Sequence, residues 1–209
     1  MIALRQATYS PAIYNVGTIE QAKRIILTPE DASTEQRWKR ETPYLLSLIE
    51  KSIAIDKNSM VLDYGCGIGR MSKALIERFG CWVVGVDISP SMRELAYSYV
   101  SSDQFLVCAP DSTVMTGNNF DLALAIWVLQ HCCDPSEDIA RIRDALKPDG
   151  DLFVVNDRRR IVPCKEVTWF NDGKDVAQML GVVPQSLDPE IIGHRIADAS
   201  YWAVKSWAQ

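Results

Sequence analysis

Metal-ligating side chains are scarce in this sequence. It has only two histidines, His131 and His194, and none of its six cysteines forms a CxxC pair. Zinc sites are usually built from such pairs or from several histidines, so the sequence predicts no metal centre. Most of the cysteines lie in apolar runs typical of buried strands, where a thiol acts as a small core residue. We therefore expect a reduced, cytoplasmic protein.

Positive charge and long apolar runs are also scarce. The chain has 22 lysines and arginines against 27 aspartates and glutamates, a formal net charge of −5. Because an acidic chain does not attract a phosphate backbone, we expect no nucleic-acid partner. No apolar run approaches the length of a membrane span, and the N-terminus lacks the pattern of a signal peptide, so no membrane partner is expected either.

Short apolar runs, by contrast, are frequent and alternate with amphipathic segments. Five runs predict strands: MVLDYG, CWVVGVD, QFLVCA, FDLALAIWV and DLFVVND. Continuous apolar strands separated by helices are typical of an α/β fold, in which a parallel sheet has helices on both faces. The length of 209 residues favours a single domain.

The two ends of the chain predict further elements. The polar stretch after Pro29 predicts one helix, and Thr42 with Pro43 predicts the N-cap and first turn of a second helix. Residues 1–29 show no clear periodicity. Near the other end, KDVAQMLG predicts a helix and ASYWAVKSWA predicts a last strand.

A glycine-rich turn follows the first predicted strand, in the stretch VLDYGCGIGR. Glycines there let a ligand lie against the backbone, and the N-terminus of the following helix favours negative groups. A dinucleotide-binding turn would have its third glycine at position 70, which is Arg70. Asp87 ends the second strand, where a carboxylate can accept hydrogen bonds from both ribose hydroxyls. These features predict a nucleoside-containing ligand without choosing which one.

Four stretches in order resemble the successive motifs of class I S-adenosylmethionine-dependent methyltransferases: VLDYGCGIGR, VVGVDISPSM, FDLALAIWVLQH and ALKPDGDLFVVND. The resemblance runs from about Met60 to Asp157. It implies a mostly parallel, seven-stranded sheet of order 3-2-1-4-5-7-6 with strand 7 antiparallel. It also implies a single domain over residues 1–209, in which residues 1–55 form an N-terminal helical lid.

The resemblance further implies S-adenosyl-L-methionine as the cofactor and assigns residues to it. Asp63 is expected to orient the turn and meet the methionine amino group, Asp87 to bind the ribose, and Arg37 to pair with the methionine carboxylate. Ile88 and Met92 are expected to flank the adenine. The family usually has an acid near the adenine amino group, where this chain has Ala109 and Pro110, and Asp111 is expected to substitute. The remaining expected cofactor contacts are Tyr64, Gly65, Cys66, Gly67, Pro110 and Ile126.

Residues after the fourth and fifth strands are candidates for the acceptor side. His131 is either a general base or a polar cap of the strand end. Arg158 and Arg160 either grip an anionic acceptor or lie in a solvated loop, and Trp169 offers an apolar wall. If these residues bind the acceptor, the sequence predicts methyl transfer to oxygen or nitrogen of a small polar or anionic metabolite.

Two other functions remain open from the sequence. An NAD(P)-dependent oxidoreductase is disfavoured by Arg70 and by the absence of an identifiable Tyr-Lys or His-Asp catalytic arrangement. A non-catalytic methyltransferase-like module that only binds the cofactor or a partner is disfavoured by the intact glycine turn and Asp87. The sequence does not predict the identity of the acceptor or the oligomeric state.

Overall fold

A six-stranded sheet forms the centre of the protein in the computed structural model, which describes residues 7–30, 32–167 and 169–207. The strands of these residues are β1 (Met60–Tyr64), β2 (Trp82–Val86), β3 (Phe105–Cys108), β4 (Phe120–Ile126), β5 (Leu146–Asp157), β6 (Val162–Pro163), β7 (Trp169–Phe170) and β8 (Ser200–Ser206). The short strands β6 and β7 pair with each other in a separate sheet.

Helices connect and cover the strands. They are α1 (Ile19–Ile26), α2 (Thr34–Ser52), α3 (Arg70–Phe79), α4 (Pro90–Val100), α5 (Pro135–Ala145), α6 (Val176–Leu180), α7 (Pro189–Ile192) and α8 (His194–Ala199). Short 3-10 turns span Pro11–Tyr14, Thr113–Met115 and Leu129–His131. The helix predicted from KDVAQMLG is therefore present as α6, and the amphipathic segments that alternate with the strands form α3, α4 and α5.

The central sheet has the strand order β3-β2-β1-β4-β5-β8. Its first five strands are parallel, and β8 runs antiparallel to β5. Val61 and Leu62 are consecutive residues of β1, and both are fully buried in different hydrophobic clusters. Since successive side chains of a strand point to opposite faces, the sheet is covered on both sides. The predicted α/β class and the antiparallel last strand are confirmed.

The expected seven-stranded order needs a correction. Strand β8 takes the expected place of strand 7 beside β5, but the described residues between β5 and β8 add no further strand at its outer edge. That segment contains Pro184 and Pro189, and its regular structure consists of the two-residue strands β6 and β7 and the short helices α6, α7 and α8. Only Gln185 pairs with the edge, through two backbone hydrogen bonds of 2.8 and 3.0 Å with Trp202.

The two helices predicted around Pro43 are one continuous helix, α2, with the proline inside it. Ser33 caps this helix instead of Thr42, because its side chain accepts from the Gln36 amide while the Gln36 side chain accepts from the Ser33 amide. The buried positions of α2 recur every four residues on both sides of the proline: Arg37, Glu41, Leu45 and Ile49. This buried face outweighs the loss of one backbone hydrogen bond at Pro43.

The segment before α2 covers the glycine turn. Ile26 of α1 lies directly against Gly67, and the Val16 amide donates to Ser91 Oγ of α4 over 2.9 Å. The helix α1 is an addition to the sequence prediction, which found no periodicity there. Residues 1–6 and residue 31 of the predicted lid lie outside the described residues. The role of residues 1–55 as a lid over the cofactor stays a prediction.

No helix of the described chain combines the length and the apolar composition that crossing a bilayer requires.

The capping box of α2 predicts a measurable loss of stability. Ser33→Ala removes the hydroxyl that accepts from the Gln36 amide, and we expect it to lower the free energy of unfolding by about 1 kcal/mol. Urea denaturation followed by circular dichroism measures this change. Ser52→Ala is the control, because Ser52 lies at the exposed end of the same helix. Equal losses in both variants would contradict the assigned cap.

Candidate functional site

A large cavity lies at the carboxyl ends of the parallel strands. Its volume is about 1080 Å³, and its walls come from the glycine turn, from the ends of β2 and β4, and from the N-terminal segment. Open α/β sheets bind their ligands at this edge. The volume is at the upper end of the range for small-molecule sites, so the cavity has room for a nucleoside cofactor and a second small molecule.

The glycine turn leaves no room for side chains. Gly65 and Gly67 have φ angles of 75° and 56°, which favour glycine. A Cβ atom at Gly65 would lie 2.2 Å from Val128 Cγ2, and one at Gly67 would lie 2.6 Å from Ile26 Cδ1. Both glycines line the cavity, so the backbone itself forms this wall.

Asp87 joins the glycine turn to the start of α4. Its Oδ2 accepts from the Gly67 amide and its Oδ1 from the Ser89 amide, each over 2.8 Å. Burial raises the pKa of the carboxyl group, and these two amides oppose that rise. Asp87 lines the cavity, and each of its oxygens keeps a further lone pair for a ligand hydroxyl.

Asp63 acts inside the fold, behind the turn. Its Oδ2 accepts from the Ser72 hydroxyl over 2.6 Å and from the Ser72 amide over 3.1 Å. Burial raises the pKa of Asp63 to about 6, and the hydrogen bonds from Ser72 oppose the rise. Asp63 therefore fixes the start of α3 and does not line the cavity, and its expected contact with the methionine amino group stays a prediction.

The other expected cofactor residues divide into two groups. Those that line the cavity are Arg37, Tyr64, Gly65, Gly67, Asp87, Ile88, Met92, Pro110 and Ile126. Cys66 and Asp111 do not. The Cys66 sulfur is buried next to Gly85 of β2, while Asp111 is exposed in the turn after β3. The side chains of Cys66 and Asp111 therefore do not make the cofactor contacts that the resemblance implied.

Arg37 lies at the cavity wall, and one of its three guanidinium nitrogens has no partner among the described residues. Its Nη1 donates to the Thr28 carbonyl and its Nη2 to the Glu41 carboxylate, each over 2.8 Å. Its Nε is buried and has no hydrogen-bond partner among the described residues. This N–H is the arginine group left for a ligand.

His131 lies in the turn after β4 and lines the cavity. Its Nδ1 is 2.8 Å from the Ile161 carbonyl oxygen, so Nδ1 carries the proton and Nε2 carries the lone pair. The Gln130 side-chain nitrogen lies 3.4 Å from Nε2. Burial lowers the pKa of the imidazole, which favours the neutral form. The rings of Tyr14 and Trp169 lie beside it, with centroids 6.0 and 5.6 Å away.

Tyr14, the last residue of the 3-10 turn Pro11–Tyr14, has a distinctive environment. Its hydroxyl is buried, lacks a hydrogen-bond partner within the described part of the chain, and belongs to a residue that lines the cavity. Burial raises the pKa of Tyr14 far above its ordinary value, so the hydroxyl stays protonated and can donate.

The predicted grip of an anionic acceptor by Arg158 and Arg160 is wrong. Arg160 is 1% exposed, and all three of its guanidinium nitrogens donate to protein oxygens. The acceptors are the carboxylate of Asp172 and the carbonyls of Leu129, Cys132 and Cys133. Arg158 is exposed and stacks over the Tyr201 ring outside the cavity. Of the three predicted substrate residues, Trp169 alone lines the cavity.

Comparisons with known proteins agree with this geometry. Residues 62–154 match the family model described as a methyltransferase domain. Ubiquinone biosynthesis O-methyltransferase of Coxiella burnetii is 34% identical over 115 residues, which cover 53% of this chain and 48% of the relative. The same enzyme of Hahella chejuensis is 31% identical over 129 residues, 59% of this chain and 53% of the relative.

Residues 62–154 therefore correspond to a methyltransferase domain. The chain spans about half the length of the curated relatives that it matches.

Solved structures share the fold of this methyltransferase domain at low sequence identity. A phosphoethanolamine N-methyltransferase of Haemonchus contortus, solved with S-adenosylmethionine, has a TM-score of 0.60 and 18% identity over 80% of this chain and 52% of its own. The [4+2]-cyclase SpnF has a TM-score of 0.58 and 15% identity over 96% of this chain and 86% of its own. Since a cyclase shares the fold, the reaction has to be argued from the site.

The buried position of Arg160 predicts a structural role. Arg160→Met leaves Asp172 and three carbonyls without their donor, and we expect it to lower the free energy of unfolding by about 3 kcal/mol. Arg159→Met is the control, since Arg159 is exposed and belongs to the same run. Urea denaturation of both variants measures the difference. Similar stability of the two variants would contradict the structural role of Arg160.

Proposed function

We propose that this methyltransferase domain transfers the methyl group of S-adenosylmethionine to a hydroxyl oxygen of a small acceptor with an aromatic or apolar body. The observation that carries the proposal is His131, a cavity residue whose Nδ1 is held by a backbone carbonyl and whose Nε2 has one long contact, 3.4 Å from Gln130 Nε2, and can act as the base. The curated relatives are named O-methyltransferases, which supports oxygen as the methylated atom.

The residues of the cavity fit the cofactor. The glycine turn provides a surface that a Cβ atom would fill, and Arg37 Nε is a buried donor in need of an acceptor. Asp87 would accept from the ribose hydroxyls, and Arg37 would donate to the methionine carboxylate. The exposed side of Ile88 and the buried Met92 would bound the adenine.

Proton removal is the chemical task left to the protein. The bound cofactor supplies an electrophilic methyl group on a sulfonium, so the acceptor oxygen has to be aligned and deprotonated. His131 Nε2 takes the proton of the acceptor hydroxyl, and the proton then leaves to solvent. The Tyr14 hydroxyl donates to the same oxygen and stabilises the negative charge that develops there.

The walls around His131 define the body of the acceptor. The rings of Tyr14 and Trp169 both lie next to the imidazole, and Ile161 and Val128 also line the cavity. These flat and apolar surfaces suit a ring better than a phosphate. A protonated amine would lack the lone pair that accepts from Tyr14, whereas a hydroxyl oxygen has one.

Asp87 provides a test of cofactor binding. Asp87→Asn replaces one acceptor oxygen with a donor group, and we expect it to weaken the binding of S-adenosylhomocysteine about tenfold or more. Isothermal titration calorimetry measures the change. Asp111→Asn is the control, because Asp111 is exposed and outside the cavity. If a folded Asp87→Asn variant binds as tightly as the wild type, the ribose assignment fails.

His131 provides a test of the reaction. His131→Asn can still donate to the Ile161 carbonyl but lacks the base, so we expect turnover to fall about a hundredfold while S-adenosylhomocysteine affinity is kept. The assay follows transfer of a tritiated methyl group to catechol as the acceptor probe. His194→Asn is the control, since His194 is exposed on α8.

The pH profile of the wild type adds a second readout. The neutral imidazole is the active form, so turnover falls as the pH drops through the pKa of His131. Because burial lowers this pKa, the fall is expected at a lower pH than for an ordinary histidine. Unchanged turnover in His131→Asn, or no methylation of catechol by a wild-type protein that binds the cofactor, would refute the proposed acceptor chemistry.

A further inference from the structure

Glu41 connects three parts of the site that are far apart in the sequence. Its Oε2 accepts from Arg37 Nη2 over 2.8 Å, and its Oε1 accepts from Trp127 Nε1 over 2.8 Å and from Arg70 Nη2 over 3.4 Å. Arg37 belongs to α2, Arg70 begins α3 directly after the glycine turn, and Trp127 follows β4. The fully buried carboxylate of Glu41 therefore links α2 to the start of α3 and to the end of β4.

Two buried guanidinium groups share this carboxylate. Arg37 is 5% exposed and Arg70 is 4% exposed, and among the described residues Glu41 is the carboxylate within salt-bridge distance of either. Asp63 attracts Arg70 only at longer range. Because a buried cation without a close partner is unfavourable, this arrangement favours an anion on the cavity side, where Arg37 Nε has its free donor.

Trp127 has a backbone conformation that its surroundings must support. Its φ angle is 61°, which is unusual for a bulky residue. The Trp127 amide donates to the Val155 carbonyl over 2.8 Å, and its indole N–H donates to Glu41. Strained residues of this kind persist where neighbouring contacts determine them, and Trp127 lines the cavity.

We propose that Glu41 is a positioning residue, which orients Arg37 and Trp127 so that Arg37 Nε faces the amino-acid end of the cofactor. The inference rests on the proposed cofactor binding. Glu41 does not line the cavity and acts through its two partners. Its effect is therefore expected only on ligands that carry the amino-acid part.

Two ligands separate this role from a general effect on folding. S-adenosylhomocysteine has the amino-acid part, whereas 5′-methylthioadenosine lacks it. We expect Glu41→Gln to weaken the binding of S-adenosylhomocysteine about tenfold and to change that of 5′-methylthioadenosine by less than about twofold. Removal of a negative charge without loss of positioning would instead strengthen the binding of the carboxylate. Calorimetry with both ligands decides between the two outcomes.

Two further variants complete the experiment. Glu50→Gln is the matched control, because Glu50 lies on the same helix, is exposed and pairs only with Arg78 among the described residues. Glu41→Asp keeps the charge but is too short to reach all three partners, and we expect an intermediate loss for S-adenosylhomocysteine alone. It decides the matter if Glu41→Gln does not fold.

The outcomes separate this inference from the proposed function. A wild-type protein that binds neither ligand would refute the cofactor proposal. A wild-type protein that binds S-adenosylhomocysteine, together with Glu41 variants that weaken both ligands equally, weaken neither, or strengthen S-adenosylhomocysteine, would overturn the role of Glu41 alone.

Discussion

The hydrogen bond from the Gly67 amide to the Asp87 carboxylate is the contact on which the cofactor side of the cavity depends. It connects the turn after β1 to the end of β2, and it requires the left-handed conformation of Gly67. The second oxygen of Asp87 accepts from Ser89, the N-cap of α4. A single buried carboxylate thus sets two loops at once, and the same two amides that orient it favour its ionised form.

The acceptor side depends on contacts that are distant in sequence. Residue Tyr9 pairs with Cys164 at the edge of β6, and Val16 is bound to Ser91 at the start of α4. Tyr14 lies between these two anchors, and its ring reaches the side of His131. The N-terminal segment therefore crosses the cavity from the acceptor side to the cofactor side, which explains how a residue so early in the chain contributes to the wall near the base.

Local geometry made part of this site predictable from the sequence. The positions of Gly65, Gly67 and Asp87 follow from the ends of two buried strands, and a parallel sheet brings those ends to one edge. The burial of Arg160 could not be predicted from the sequence in this way. Its burial depends on Asp172 and on carbonyls of the turn after β4, and nothing in the run of three arginines specifies those partners.

The same limit applies to the helix and sheet boundaries. Pro43 resembles a helix start, but the buried face that α2 presents on both sides of it is a property of the folded protein. Glu41 is likewise an ordinary helix residue in the sequence. Its three hydrogen-bond partners come from α2, α3 and the turn after β4, so its importance appears only when these elements are packed together.

Two residues that line the cavity, Arg37 and Tyr14, each carry a buried donor that has no partner among the described residues. Arg37 Nε belongs to the wall next to the glycine turn, and the Tyr14 hydroxyl belongs to the wall next to His131. Leaving a buried donor unsatisfied costs about 1–3 kcal/mol, so each is stabilised by a ligand that brings an acceptor atom. In the proposed reaction the cofactor carboxylate accepts from Arg37 Nε, and the oxygen of the methyl acceptor accepts from the Tyr14 hydroxyl. The wall of Asp87 and Arg37 and the wall of His131 and Tyr14 therefore gain their binding free energy from separate contacts.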